Sequence, residues 1–229
     1  ELVGCVLVFR DVTERKREAV AEAERTRLVS LRCDVGSTLA SIQPTPMALQ
    51  HTCEALVHHL DAALARIWTL NDTGSELELQ ASAGPCTNLD RRYSRVPVGQ
   101  YKIGRIASNR QPHLTNGVLE NSEVSARKWA AKEGLVAFAG YPLVLEDRVV
   151  GVVAIFARHP LTEGELMELA PLAEGIAQFI DRRDAEAGRE AIQRQITSTL
   201  ESMTDGFFTL DDDWRFTYVN PVAHRMLAR

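Results

Sequence analysis

The sequence predicts an α+β fold. A central, mostly antiparallel sheet is covered by helices on both faces, and long helices stand at the N- and C-terminal ends. The first observation is the stretch from Val136 to Arg158, VAFAGYPLVLEDRVVGVVAIFAR, where two apolar runs flank a charged turn, Glu146-Asp147-Arg148. That is the spacing of a hairpin. Val, Ile, Phe and Tyr dominate both runs and suit a pleated, buried surface. The second observation is that the runs do not alternate apolar with polar: from Val149 to Ala157 only Gly151 interrupts. A strand apolar on both faces requires cover on both faces. The third is the helix-periodic sequence on either side, which supplies that cover.

In chain order, Gly4 to Arg10, GCVLVFR, reads as a strand with no partner before it, so the chain is expected to begin inside a domain. Asp11 and Glu14 stand at capping-box spacing ahead of a charged helix, ERKREAVAEAERTR. Leu28, Leu31, Val35, Thr38 and Ile42 recur at spacings of 3, 4, 3 and 4, as in a helix packed on a neighbouring helix or on a dimer mate. Pro44-Thr45-Pro46 breaks the chain, with Thr45 read as the cap of the next helix and Pro46 in its first turn. Leu49, Cys53, Leu56, Val57 and Leu60 mark one face of that helix, which ends near Asp61.

Ala62 to Leu70 reads as a strand and Asn71 to Gly74 as a turn. Leu77, Leu79 and Ala81 alternate with polar residues, which predicts a half-exposed strand nearer the sheet edge. Gly99 to Asn109 reads as a short helix, Leu114 as the centre of a short strand, and Ser122 to Glu133 as a helix capped by Gly134. After the hairpin, Thr162-Glu163-Gly164-Glu165 is a capping box. The helix it opens carries Leu166, Leu169, Ala173, Ile176 and Ile180 on one face, and Pro171 inside it predicts a kink or a split. Helical spacing continues through a charged segment to Met203, weakened by Gly188. Phe207 to Leu210 and Phe216 to Val219 read as strands about the Asp211-Asp212-Asp213 turn, and Asn220-Pro221 starts a helix.

Composition narrows the function classes. With 26 basic and 31 acidic residues the net charge is −5, so no overall basic field favours nucleic acid. No run approaches the roughly 18 apolar residues of a membrane helix, and no secretory signal stands at the start. The expected location is the cytoplasm. Cys5, Cys33, Cys53 and Cys86 lie far apart without a C-x-x-C, which reads as reduced thiols rather than a disulfide framework or a zinc site. Neither a Walker-type G-x-x-x-x-G-K nor a G-x-S-x-G elbow occurs. Trp68 and Trp129 read as core or lid packing, and His58-His59 as a helix end where a cation suits the dipole.

Four segments carry a resemblance. VPVGQYKIGRIASNRQP (Val96 to Pro112) and the hairpin ending DRVVGVVAIFA (Asp147 to Ala157), with its following helix, resemble a GAF domain spanning residues 28–182. GCVLVFRDVTERK (Gly4 to Lys16) is similar to the last strand and exit of a PAS domain, assigned to 1–13. ESMTDGFFTLDDDWRFTYVNPVAHRML (Glu201 to Leu227) is similar to the opening of another, assigned to 204–229. Linker helices would occupy 14–27 and 183–203.

The resemblance implies a sensory, signal-relaying module of a bacterial two-component sensor histidine kinase, dimeric through its terminal helices. None of His51, His58, His59, His113, His159 and His224 is followed by the acidic residue of the kinase's phospho-acceptor motif, so the fragment reads as non-catalytic. The other readings are a structural dimerisation spacer, or a regulatory module of a cyclic-di-nucleotide cyclase or serine phosphatase. The cyclic-nucleotide signature of some GAF members is absent, and Cys86 lacks the histidine neighbour of bilin-binding members. His113 is the one histidine placed for a heme, and a structural role suits it better. The cofactor stays unassigned and no metal site is read.

Arg91, Arg92, Arg95, Lys102, Arg105 and Arg110 face a single acid, Asp90, in this region. They read as a solvated face or as the mouth of a pocket for a small anionic ligand. Tyr101, Arg105, Phe138 and Tyr141 are the residues expected to border that cavity, with His113 beside it.

Overall fold

The structure, a computed structural model, describes residues 13–84, 94–120 and 127–227. The chain divides into two compact units, the first ending at Ile180 and the second running from Asp181 to Arg229. The elements are α1 (Thr13–Ala40), α2 (Thr45–Leu60), β1 (Ala62–Leu70), β2 (Glu76–Ala83), β3 (Arg95–Pro97), α3 (Tyr101–Asn109) and β4 (His113–Thr115). They continue with α4 (Arg127–Lys132), β5 (Ala137–Leu145), β6 (Arg148–Ala157), α5 (Glu163–Ser202), β7 (Phe208–Leu210), β8 (Phe216–Val219) and α6 (Pro221–Leu227). The strand expected over Gly4 to Arg10 and the cap at Asp11 lie outside the described residues, as does the stretch 121–126 ahead of α4.

The first unit is an antiparallel six-stranded sheet in the order β3-β2-β1-β6-β5-β4. The fold class is the one the sequence predicts. Strands β1 and β6 are innermost, and both are buried almost throughout. Side chains alternate between faces along a strand. In β6, Val153 and Ile155 therefore join an apolar layer with Leu31 and Val35 of α1, Leu56 of α2 and Ile176 of α5. Val152 and Ala154 join a second layer with Trp68, Phe138, Ile106 of α3 and Ala130 of α4. Both faces of the sheet are covered, which is why its central strands carry no polar alternation.

Local chemistry sets the joints. The β5–β6 turn is shorter than read: Leu145 pairs with Arg148, which leaves Glu146 and Asp147 as the turn, Glu146 at φ 53°. Two-residue hairpin turns need positive φ to match strand twist. Helix α2 begins one residue earlier than read. Pro44 is the cap, its carbonyl receives the Met47 and Ala48 N–H groups, and Pro46 falls in the first turn, where its missing donor costs nothing. Helix α1 stops at Ala40, so Ile42 leaves the stripe and stands in solvent.

The capping box opens α5 as the sequence predicts. The Thr162 N–H donates to Glu165 Oε2 at 2.8 Å, and the Glu165 N–H donates to Thr162 Oγ1 at 3.1 Å. Pro171 does not divide α5. Pro171 is exposed while Leu169, Leu172 and Ala173 are buried, so the apolar face of the helix runs through the position and holds it together.

In the second unit, β7 and β8 pair as an antiparallel hairpin. Buried Asn220 fastens it: its Oδ1 accepts from the Phe207 and Ala223 N–H groups, and its Nδ2 donates to the Leu200 and Asp205 carbonyls.

Candidate ligand-binding face

Directly opposed residues on antiparallel neighbours share a face. Ser82 stands opposite Arg66, Arg66 opposite Ala154, Ala154 opposite Gly140, and Gly140 opposite His113. These five form one row across the sheet, on the face that α3 covers. At its centre are a methyl group and a glycine; at its flanks are a guanidinium and an imidazole.

Arg66 is the unusual member. It is 3% exposed and is the one charged residue of its strand, AALARIWTL. Its Nε donates to Ser82 Oγ at 3.2 Å, while Nη2 meets no acceptor among the described residues. Burial pushes the guanidinium down to about 10, because a charge in a low-dielectric interior loses its hydration. Cys53 of α2 is also buried, and the same effect pushes its thiol up, so it is inert.

The His113 end of the row is filled. Helix α3 can lie close because Gly104 has no side chain: a Cβ there would collide with the Pro97 carbonyl. Lys102 is buried, and its Nζ lies 5.2 Å from the centroid of the Phe138 ring, a cation–π contact. One turn on, Ile106 occupies the space over Gly140, where an added Cβ would come within 2.5 Å of Ile106 Cδ1. Phe138 meets Phe156 edge-on at 4.9 Å, and the His113 ring lies 6.2 Å from it.

Of the residues predicted to form a site, Phe138 and His113 come together on this face. Tyr101 starts α3 and is 45% exposed, and Arg105 is exposed one turn on, donating from Nε to the Tyr101 carbonyl at 3.4 Å. Tyr141 is not with them. Three residues from Phe138 on one strand, it points to the opposite face, against the layer of α1, α2 and α5. There it lines an open cleft of about 380 Å³ with Arg110, Pro142, Glu146, Ala173 and Glu174. Phe138 and Tyr141 therefore lie on opposite faces of the sheet. Of the basic run, Arg95 pairs with Glu78 at 3.1 Å on the β2–β3 edge. Sequence reasoning missed Arg66; its signal was a lone charge inside an apolar strand.

A sequence model of the GAF domain family matches residues 47–181. The chain belongs to the GAF family. GAF domains are sensory and regulatory modules of signalling proteins. The six-stranded sheet has the GAF fold, similar to the GAF domain of a phosphoenolpyruvate-protein phosphotransferase from Coxiella burnetii. That likeness has 18% identity and a TM-score of 0.63, over 71% of this chain and 98% of that one. A free methionine-R-sulfoxide reductase from Neisseria meningitidis, in complex with its substrate, is similar at 19% identity and TM-score 0.58, covering 81% of this chain and 98% of that one. Residues 122 to 287 of a methyl-accepting chemotaxis protein are similar at 17% identity and TM-score 0.54, covering 65% and 95%. No curated protein matches the chain. Among the described residues of this GAF protein, no group of three or more His, Cys, Asp or Glu side chains converges as a metal site would, and no helix is long and apolar enough to cross a membrane.

Proposed function

We propose that the chain is the sensory, signal-relaying GAF module of a cytoplasmic bacterial two-component histidine kinase, flanked by partial PAS domains. It binds a small ligand on the α3 face and passes the change on through its terminal helices in a homodimer. One observation carries this reading. Helix α5 begins with its capping box on the GAF core, buries Leu169, Ala173 and Ile176 there, and continues without a break to Ser202. A ligand acts only by favouring one of two arrangements of such an element. The substrate-bound reductase of similar fold supports a small-molecule role, and the chemotaxis protein of similar fold supports a signalling context.

Ile192, Ile196 and Thr199 follow one another at helical spacing on α5 and are exposed, a stripe that a second copy of the helix would bury. The decisive experiment inserts one residue after Gly188 in the full-length protein, which rotates everything downstream by about 100°. Altered output is the expected result; unchanged output removes the helix relay. Native mass spectrometry of the 229-residue chain gives a dimer that retains a small molecule if the sensory reading holds. An empty dimer favours the structural spacer.

A further inference from the structure

A buried arginine in a sheet interior is costly, because its hydration is lost and a partner must replace it. Arg66 has one hydrogen bond among the described residues, to a neutral hydroxyl, and no carboxylate among them faces it. Its neighbours in the row are Ser82 on one side and the methyl of Ala154 on the other, so no bulky side chain of the row covers the end of the guanidinium. Lys102 lies over Phe138, on the strand two places from β1, about 10 Å across the same face. The unsatisfied buried cation of the row, Arg66, thus stands beside its smallest residues, Ala154 and Gly140.

We infer that Arg66 anchors the oxyanion of a small ligand, a carboxylate or a phosphate, above Ala154 on the α3 face. The assignment rests on the sensory reading and names the ligand class that the reading leaves open. A planar guanidinium held by its Nε presents its terminal nitrogens as a fork, which matches two oxygens of a carboxylate or phosphate. In a site excluded from water such a pair is stronger than at a surface. Arg105, the sequence's choice for this role, is exposed and leans back on its own helix, where an ion pair contributes little.

The test is calorimetric titration of the whole chain with inorganic phosphate and, separately, with succinate. The expected result is saturable binding of one of them, weakened at least tenfold in Arg66→Met and unchanged in Arg105→Met. The anion that binds identifies the source of the oxyanion. The assignment is overturned if neither anion saturates on the wild-type chain, or if Arg66→Met binds as well as wild type. Should Arg66→Met fail to fold, Arg66→Lys keeps the charge and loses the fork; equal affinity in that variant also overturns it. An uncharged metabolite retained by both wild type and Arg66→Met removes the oxyanion and leaves the sensory reading standing. An anion bound through Arg66 that leaves the full-length protein's output unchanged keeps the anchor and removes the sensory reading.

Discussion

Arg66 and Ser82 face each other across the β1–β2 ladder, and the 3.2 Å bond from Nε to the serine hydroxyl orients a guanidinium that the described residues otherwise leave under-satisfied. A buried charge kept without a full set of partners lowers stability. Replacing it with an apolar side chain of similar length removes that cost. Arg66→Met is therefore expected to stabilise the ligand-free chain by roughly 1–3 kcal/mol, read by urea unfolding. A loss of stability would mean that Arg66 holds the fold together and is not a site residue.

The same residue gives a pH dependence with a definite sign. Burial lowers its guanidinium from its ordinary range to about 10 in the native state, so above that value the unfolded chain binds more protons. Stability contributed at this position then rises with pH. The advantage of Arg66→Met over wild type is fully present below about pH 10 and shrinks above it. Paired urea titrations at pH 8, 9, 10 and 11 measure the gap; a constant gap contradicts the assignment.

Gly140 and Ile106 share one space. Gly140→Ala puts a Cβ within 2.5 Å of Ile106 Cδ1, an overpacking expected to cost about 1–3 kcal/mol. In an Ile106→Ala background the same change should cost far less. The interaction energy of that double-mutant cycle, by urea unfolding, is the readout. Strict additivity would show that α3 does not press on β5.

Thr162 and Glu165 hold the first turn of α5 reciprocally, and Glu165 Oε1 also lies 3.5 Å from Arg27 Nη2 of α1. Thr162→Ala should cost about 1 kcal/mol. Glu165→Ala should cost more, because it removes both the cap and the contact to α1. Thermal melting of the two variants gives the order, and a reversed order would make the Arg27 contact irrelevant.

Much of the fold was legible because it is written in local chemistry. The span of β1, the capping box at Thr162, the αL residue Gly134 closing the turn after α4 and the helix start at Asn220 each depend on a few consecutive residues. The site was less legible. The basic run points to Tyr101 and Arg105 and the central hairpin to Phe138 and Tyr141, with His113 beside them, yet strand alternation sends Phe138 and Tyr141 to opposite faces. The bulges in β1 and β5 make the face of each residue depend on its pairing, which single-strand periodicity does not contain.

By itself the sequence determined the class of the molecule: a doubly covered antiparallel sheet with long flanking helices. Apolar runs, caps and turns act within a few residues, and their free energies do not wait for the rest of the chain. Only the tertiary structure decided which side chains meet. The row from Ser82 through Arg66, Ala154 and Gly140 to His113 draws on strands far apart in sequence, aligned by backbone hydrogen bonds. That register turns a single arginine in an apolar strand into a buried cation beside a small-residue floor, because burial and partner geometry belong to the assembled sheet.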